Sequence, residues 1–198
     1  DDGRGYGTAW VKGKDGLETR QSSFFTVSNR NKRSITVNHS KPEGQEILRA
    51  LAKDADVLIE NYKVGDLARF GLDYESLKAI NPRLIYCSVT GYGQTGPMAA
   101  KPGYDGLFQA TGGMMAVTGL PDGQPGAGPL KAGPSLVDFV TGHNTALAIL
   151  AAIVHRQNTG EGQFIDIALL DTSVAMISHI MQDYLISGFP PPRLGNGG

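Results

Sequence analysis

The side chain best placed for chemistry is Asp138, in the stretch Gly133-Pro-Ser-Leu-Val-Asp138-Phe-Val-Thr-Gly142. From Thr145 to Val154 the residues are small and aliphatic with no polar face, which reads as a helix buried on all sides. An acid just ahead of such a helix meets unpaired backbone N–H groups and the positive end of the helix dipole. A carboxylate held there stays ionised at neutral pH and can attack an electrophilic carbon. The competing reading is that Asp138 caps the helix and does nothing more, a routine task for aspartate. The spacing alone leaves both readings open.

Other reactive residue types are poorly set for catalysis. His39, His143, His155 and His179 lack metal-ligand spacing, so no metal site is expected. His143 lies more than one helical turn beyond Asp138, and the two form a dyad only if the backbone bends between them. Cys87 falls inside an apolar strand, and no G-x-S-x-G elbow is present. Gly91-Tyr-Gly93-Gln-Thr-Gly96 matches a dinucleotide fingerprint, but Pro97 and Pro102 interrupt the helix that should follow, and the ribose-binding acid is missing. The basic cluster Asn29-Arg-Asn-Lys-Arg33 reads as a solvated face, with phosphate binding as its alternative. Aromatic residues do not interleave with it, so no nucleic-acid platform is expected.

The elements that must position Asp138 follow from periodicity. Residues 1–22 are Gly-rich and charged and read as irregular surface. Phe24–Val27 fits a short strand or buried turn, and the alternation Ser34-Ile-Thr-Val-Asn38 fits a strand. Ser40-Lys-Pro-Glu43 has capping-box spacing ahead of a helix with Ile47, Leu48 and Leu51 on one stripe. Val57-Leu-Ile59, a short helix Tyr74–Ile80 stopped by Asn81-Pro82, and the strand Leu84–Val89 come next. Gln163–Ala168 is a further strand, and Asp171 caps a helix whose Val174, Ile177, Met181, Tyr184 and Leu185 share a face. Helices alternating with apolar strands predict an α/β fold, a parallel sheet covered by helices on both faces. Ligands of such sheets bind at the carboxyl ends of the strands, which singles out Glu60–Lys63 and Thr90–Gly93.

Composition sets outer limits. The chain has 198 residues, 40% hydrophobic and 19% charged, with net charge −1, so no global field selects nucleic acid or an anionic membrane. Its longest apolar run, Ala146–Val154, is too short to span a bilayer. A single cysteine fits a reducing, cytoplasmic location. Asp1-Asp2-Gly3 and the closing Pro/Gly loop from Phe189 read as cut from a longer polypeptide.

From Asn29 onward the sequence resembles the family III CoA-transferases, which include formyl-CoA and carnitine CoA-transferases and have α-methylacyl-CoA racemase as a relative. The resemblance rests on Lys41-Pro-Glu-Gly44, Ala55-Asp-Val-Leu-Ile-Glu-Asn-Tyr62, Asn81-Pro-Arg-Leu-Ile-Tyr86, Gly91-Tyr-Gly-Gln-Thr-Gly-Pro97, Gly103-Tyr-Asp105, Asp138 with Gly142, and Thr159-Gly-Glu-Gly-Gln163, in family order. It implies that residues 1–188 are part of a large Rossmann-like CoA-binding and catalytic domain of an interlocked fold. Residues 189–198 would start a linker toward a second domain. A first strand and helix would precede Asp1, and a glycine-rich closing loop would follow Gly198. The implied activity transfers CoA from an acyl-CoA donor to a small carboxylic acid, with Asp138 as nucleophile, through an aspartyl anhydride and an aspartyl-CoA thioester. CoA contacts are implied at Val37, Asn38, His39, Asn61, Tyr62, Lys63, Arg69, Tyr104 and Asp105, while Ser40 replaces a lysine of formyl-CoA transferase. No tightly bound cofactor is implied, coenzyme A and acyl-CoA being substrates. The partnership implied is an interlocked homodimer, without nucleic acid or membrane. The racemase branch has histidine where Tyr104 stands, so proton exchange lacks its base here. An α-methylacyl-CoA epimerase and a catalytically silent CoA-binding protein are the rival readings.

Overall fold

The structure, a computed structural model, describes residues 2–197. The described residues form two compact units, the first ending at Val37 and the second beginning at Asn38. No composition shift in the sequence marks that division.

Most of the first unit departs from expectation. The stretch expected to be irregular, residues 1–22, holds among its described residues a 3-10 turn at Asp2–Gly5 followed by an antiparallel hairpin of β1 (Trp10–Lys12) and β2 (Glu18–Ser22). The Phe24–Val27 stretch is neither strand nor buried turn but part of helix α1 (Ser23–Asn29). The buried Ser22 is the reason: its Oγ accepts from Phe25 N at 3.1 Å and caps the helix while donating to Gly3 O at 2.8 Å. The expected strand Ser34–Asn38 does not form, since alternation supplies side chains but no neighbouring strand to bond, and Ile35 stays exposed. Arg30, Lys32 and Arg33 are exposed, as a solvated basic face would be.

In the second unit the alternation of helices and strands produces the predicted parallel sheet. Helix α2 (Pro42–Asp54) starts with proline in its first turn, but Ser40 does not cap it; the N-cap residue is Lys41, without a side-chain bond. Strand β3 (Val57–Glu60), helix α3 (Tyr74–Lys78) and strand β4 (Ile85–Thr90) follow, then α4 (Asp105–Thr111), α5 (Met114–Val117), α6 (Leu136–Thr159) and strand β5 (Phe164–Ala168). The sheet order is β3-β4-β5, all parallel, with Leu58 opposite Tyr86 and Tyr86 opposite Phe164. Central β4 is hydrogen-bonded on both edges, so its apolar run is buried: Leu84, Ile85, Tyr86 and Cys87 have almost no exposed surface. Leu84 and Tyr86 join Ala52, Leu72 and Leu77 in the core beneath α2 and α3. The pleat sends Ile85, Cys87 and Val89 to the other face, where α6 packs on β4 and β5. Burial, reinforced by Glu60 and Asp166, pushes the Cys87 thiol up to about 11, so it is an inert core group at neutral pH.

Two polar side chains close the ends of these elements. Asn81 Nδ2 donates to the Ala52 and Ala55 carbonyls, both at 3.0 Å, sealing the carboxyl end of α2. Arg156 ties the end of α6 to the Asp56 carboxylate at 2.9 Å and to the Arg83 carbonyl at 3.2 Å. Gly162 in the turn before β5 has no room for a side chain, since a Cβ there would lie 2.1 Å from the Leu84 carbonyl oxygen. Gly162→Ala is therefore expected to destabilise the protein by about 2 kcal/mol or more. Urea unfolding reads this out, and an unchanged midpoint would mean that the turn relaxes freely.

Two helical expectations fail. The α6 helix is not buried on all sides: Val137, Thr141, Thr145 and Ala152 are buried, whereas Phe139, Leu147 (68% exposed), Leu150 and Val154 face outward. At 24 residues it also extends well past the apolar run, and by length and composition alone it could cross a membrane. Here it covers one face of the sheet. The helix after β5 divides at Ile177 into α7 (Leu169–Met176) and α8 (Ser178–Ser187), with Asp171 inside the first turn of α7 rather than at its cap. Ile177 turns inward beside Gly113, while Tyr184 and Leu185 stay exposed, so the expected single apolar face is split.

Candidate active site

Asp138 is neither the cap of α6 nor ahead of it. The helix begins at Leu136, which puts Asp138 within the first turn. The capping carboxylate comes instead from Asp105, at the start of α4. Asp105 Oδ1 accepts from Val137 N at 2.8 Å and from Asp138 N at 3.3 Å, and Oδ2 accepts from Gln109 Nε2 at 2.6 Å. Asp105 is only 7% exposed and Gln109 is fully buried. Gln109 in turn accepts from Ala132 N at 2.9 Å, holding the chain that leads into α6. Leu136 N bonds Pro134 O and Phe139 N bonds Ser135 O, so each N–H of the first turn is taken. This corrects the expectation that unpaired N–H groups surround Asp138.

With its backbone fixed this way, Asp138 presents an exposed carboxylate that accepts no hydrogen bond and joins no ion pair among the described residues. Its surface is open on the cavity side, but desolvation by the protein on its other side first, and then the negative charge of Asp105, push its carboxyl above the ordinary value of 3.8. The helix dipole alone would have moved it the other way.

Asp138 lines a cavity of about 720 Å³ at the carboxyl ends of β3 and β4. Asn61, Tyr62 and Lys63 follow β3, and Thr90 and Gly91 end β4. Lys101 and Tyr104 come from the loop before α4, while Thr141, Gly142 and Thr145 extend from Asp138 along α6. Of the residues the strand-end rule singled out, Asn61–Lys63, Thr90 and Gly91 line the cavity, whereas Glu60, Tyr92 and Gly93 do not. Tyr104 is 85% exposed at this wall, so it is not a packed aromatic.

The remaining expected contacts lie elsewhere. His39 and Arg69 are not in the wall but stand behind it. The His39 ring is 5.4 Å from Tyr62 and 5.2 Å from Phe70, and Arg69 lies over Phe70 at 4.8 Å while pairing with Asp66 at 3.4 Å. Asn38 accepts from Ser40 N at 3.0 Å in the turn before α2. Val37 closes the first unit and stands outside the unit that holds the cavity. Asp105, expected to contact CoA, is buried with both oxygens committed to the protein. His143 does not pair with Asp138: its Nδ1 is 2.7 Å from the Phe139 carbonyl, so the ring donates back to its own helix.

The glycine motif has a packing explanation. A Cβ at Gly103 would lie 2.2 Å from the Phe108 ring and one at Gly91 2.7 Å from it, while Gly93 takes a left-handed conformation (φ +80°). Gly91 and Gly103 let two loops close over the buried Phe108, which anchors α4 and with it Asp105. Lys101, Thr141 and Gln109 were missed as site residues. Thr141 follows Asp138 at one-turn spacing and could have been found from sequence, whereas nothing local marks Gln109.

A family model described as CoA-transferase family III matches residues 1–198. The chain belongs to CoA-transferase family III. A succinate–glutarate CoA-transferase of Agrobacterium fabrum is 49% identical over 99% of this chain and 48% of its own length. The human succinyl-CoA:glutarate CoA-transferase is 42% identical over 88% of this chain and 39% of its own. Among solved structures, a CAIB/BAIF family protein from Brucella suis superposes with a TM-score of 0.90 at 45% identity, covering 99% of this chain and 50% of that one. The chain therefore spans about half the length of the curated family III relatives it matches. The motif segments that carried the resemblance now have physical roles. Asn81 seals α2, Gly162 admits β5, and the glycines around Phe108 set α4 against α6.

Proposed function

We propose that the protein transfers CoA from an acyl-CoA thioester to a carboxylic acid, with Asp138 as the nucleophile. The observation that carries the reading is the Asp138 carboxylate: exposed, unbonded and open to a cavity, on a backbone that Asp105 holds still. Membership of family III supports the same chemistry.

An Asp138 oxygen attacks the thioester carbonyl and CoA leaves as thiolate, giving a mixed anhydride. The thiolate then attacks the aspartyl carbonyl of that anhydride, releasing the donor acid and leaving CoA as an aspartyl thioester. The acceptor carboxylate displaces the thiolate to form a second anhydride. Attack of the thiolate on the acceptor's acyl carbon frees Asp138 and the new acyl-CoA. Each step exchanges one activated acyl bond for another, so none is a steep climb. Tyr62 and Asn61 border the path of the pantetheine chain. Lys63 and Lys101, exposed and without an ion pair among the described residues, suit the anionic ends of the substrates. Relatives named for succinate, glutarate, oxalate and mesaconate favour a short dicarboxylic acid as acceptor.

Incubation of the full-length polypeptide with an acyl-CoA and no acceptor is expected to leave CoA esterified to Asp138. Mass spectrometry of the peptide carrying that residue detects it, and hydroxylamine removes it. Tight CoA binding without an adduct would point to a silent binding protein. Epimerisation has less support, because no histidine lines the cavity. Solvent deuterium at the α-carbon would reveal it.

A further inference from the structure

Building on the reading of Asp138 as nucleophile, we propose that the Thr141 hydroxyl is a catalytic hydrogen-bond donor to the acyl oxygen of the thioester and anhydrides formed there. Attack on an acyl carbon places negative charge on its oxygen, and donors aimed at that oxygen lower the barrier. A helix N-terminus beside the nucleophile would be the usual source. Here that source is spent. Leu136, Val137, Asp138 and Phe139 give their N–H groups to Pro134 O, Asp105 Oδ1 and Ser135 O.

Thr141 stands one turn beyond Asp138 on the same side of α6 and is one of the residues lining the same cavity. It is 2% exposed, and its Oγ is the one buried side-chain polar atom among the described residues without a hydrogen-bond partner. A threonine in a helix ordinarily donates to the carbonyl one turn back. Thr145 does so, to Thr141 O at 2.8 Å, but Thr141 leaves the Val137 carbonyl alone. Valine would fill the same space without an orphaned hydroxyl, so packing does not account for threonine here. In this proposal the hydroxyl turns about χ1, between the staggered wells open to threonine, toward an acyl oxygen that supplies the missing acceptor.

As an Asp138 oxygen bonds to the acyl carbon, the carbonyl electron pair moves onto oxygen and accepts from Thr141 Oγ–H. Collapse restores the carbonyl and expels thiolate or carboxylate. The hydroxyl keeps its proton throughout.

The test compares Thr141→Val with Thr141→Ser in the full-length enzyme, by quenched single-turnover adduct formation, steady-state kinetics and thermal unfolding. Thr141→Val should slow adduct formation and kcat by about 10- to 100-fold, the scale of losing one such donor. KM should change little, and Tm should rise because the orphaned hydroxyl is gone. Thr141→Ser should keep the rate within about threefold of wild type. Wild-type adduct formation in Thr141→Val overturns the role of Thr141 and leaves that of Asp138 intact. A joint fall in rate and Tm that serine fails to rescue overturns it as well. No adduct in the wild-type enzyme overturns the reading beneath both.

Discussion

Replacing Asp138 with alanine is expected to cut CoA transfer by at least about 10³-fold, the scale on which enzymes lose rate with their nucleophile. The CoA adduct should disappear with it. Stability should not fall, because the carboxylate bonds nothing in the folded protein. The pH dependence sharpens this. Folding raises the pKa of Asp138, so the fold favours the protonated acid. That contribution is fully present below the ordinary value of 3.8 and is lost as pH rises through the folded value. At neutral pH, alanine thus removes a charge that the fold tolerates rather than welcomes. Activity and stability should separate in this variant, and retained turnover in Asp138→Ala would place the nucleophile elsewhere.

The second large effect is expected at Asp105. Alanine there strips the acceptors from Val137 N, Asp138 N and Gln109 Nε2 in a nearly closed environment. Leaving such groups unpaired should cost about 2 to 4 kcal/mol, seen as a lowered denaturant midpoint. Transfer should fall as well, since the first turn of α6 carries Asp138, the proposed nucleophile. Asp105→Asn separates the two duties of this residue. Its amide oxygen still accepts from the helix, so more of the stability should survive, but the negative charge beside Asp138 is gone. The acid limb of the kcat/KM profile should then move to lower pH, because one of the two causes raising Asp138 has been removed. A limb that stays in place would mean that burial alone sets the titration of Asp138.

Asp105 also illustrates where local pattern and spatial arrangement diverge. In sequence, Asp138 had the position and residue type of a helix cap. In space, the helix starts two residues earlier and the cap comes from a residue 33 positions away. Capping requires only that an acceptor reach the N–H groups, and it need not come from the same segment. The G-x-G-x-x-G run is a similar case. Its glycines are spaced for a phosphate loop, but Gly91 packs on the Phe108 ring and Gly93 on Asp166 and Ala168. The missing strand at 34–38 is a third case. Residues 34–38 alternate as a strand does, yet a strand exists only with a partner to bond.

What the sequence by itself determined was the α/β class, the three strands, read at 57–59, 84–89 and 163–168 and found at 57–60, 85–90 and 164–168, and the family; it also singled out Asp138 and residues 61–63, which line one cavity. Strand burial and strand-end ligand sites follow from composition and chain direction, which are local properties. Only the tertiary structure decided that Asp105 and Gln109 hold the start of α6, that α6 keeps an open apolar side, and that the buried Thr141 hydroxyl has no partner. Those outcomes depend on which distant groups meet. A hydrogen bond spanning 33 residues leaves no periodic trace along the chain.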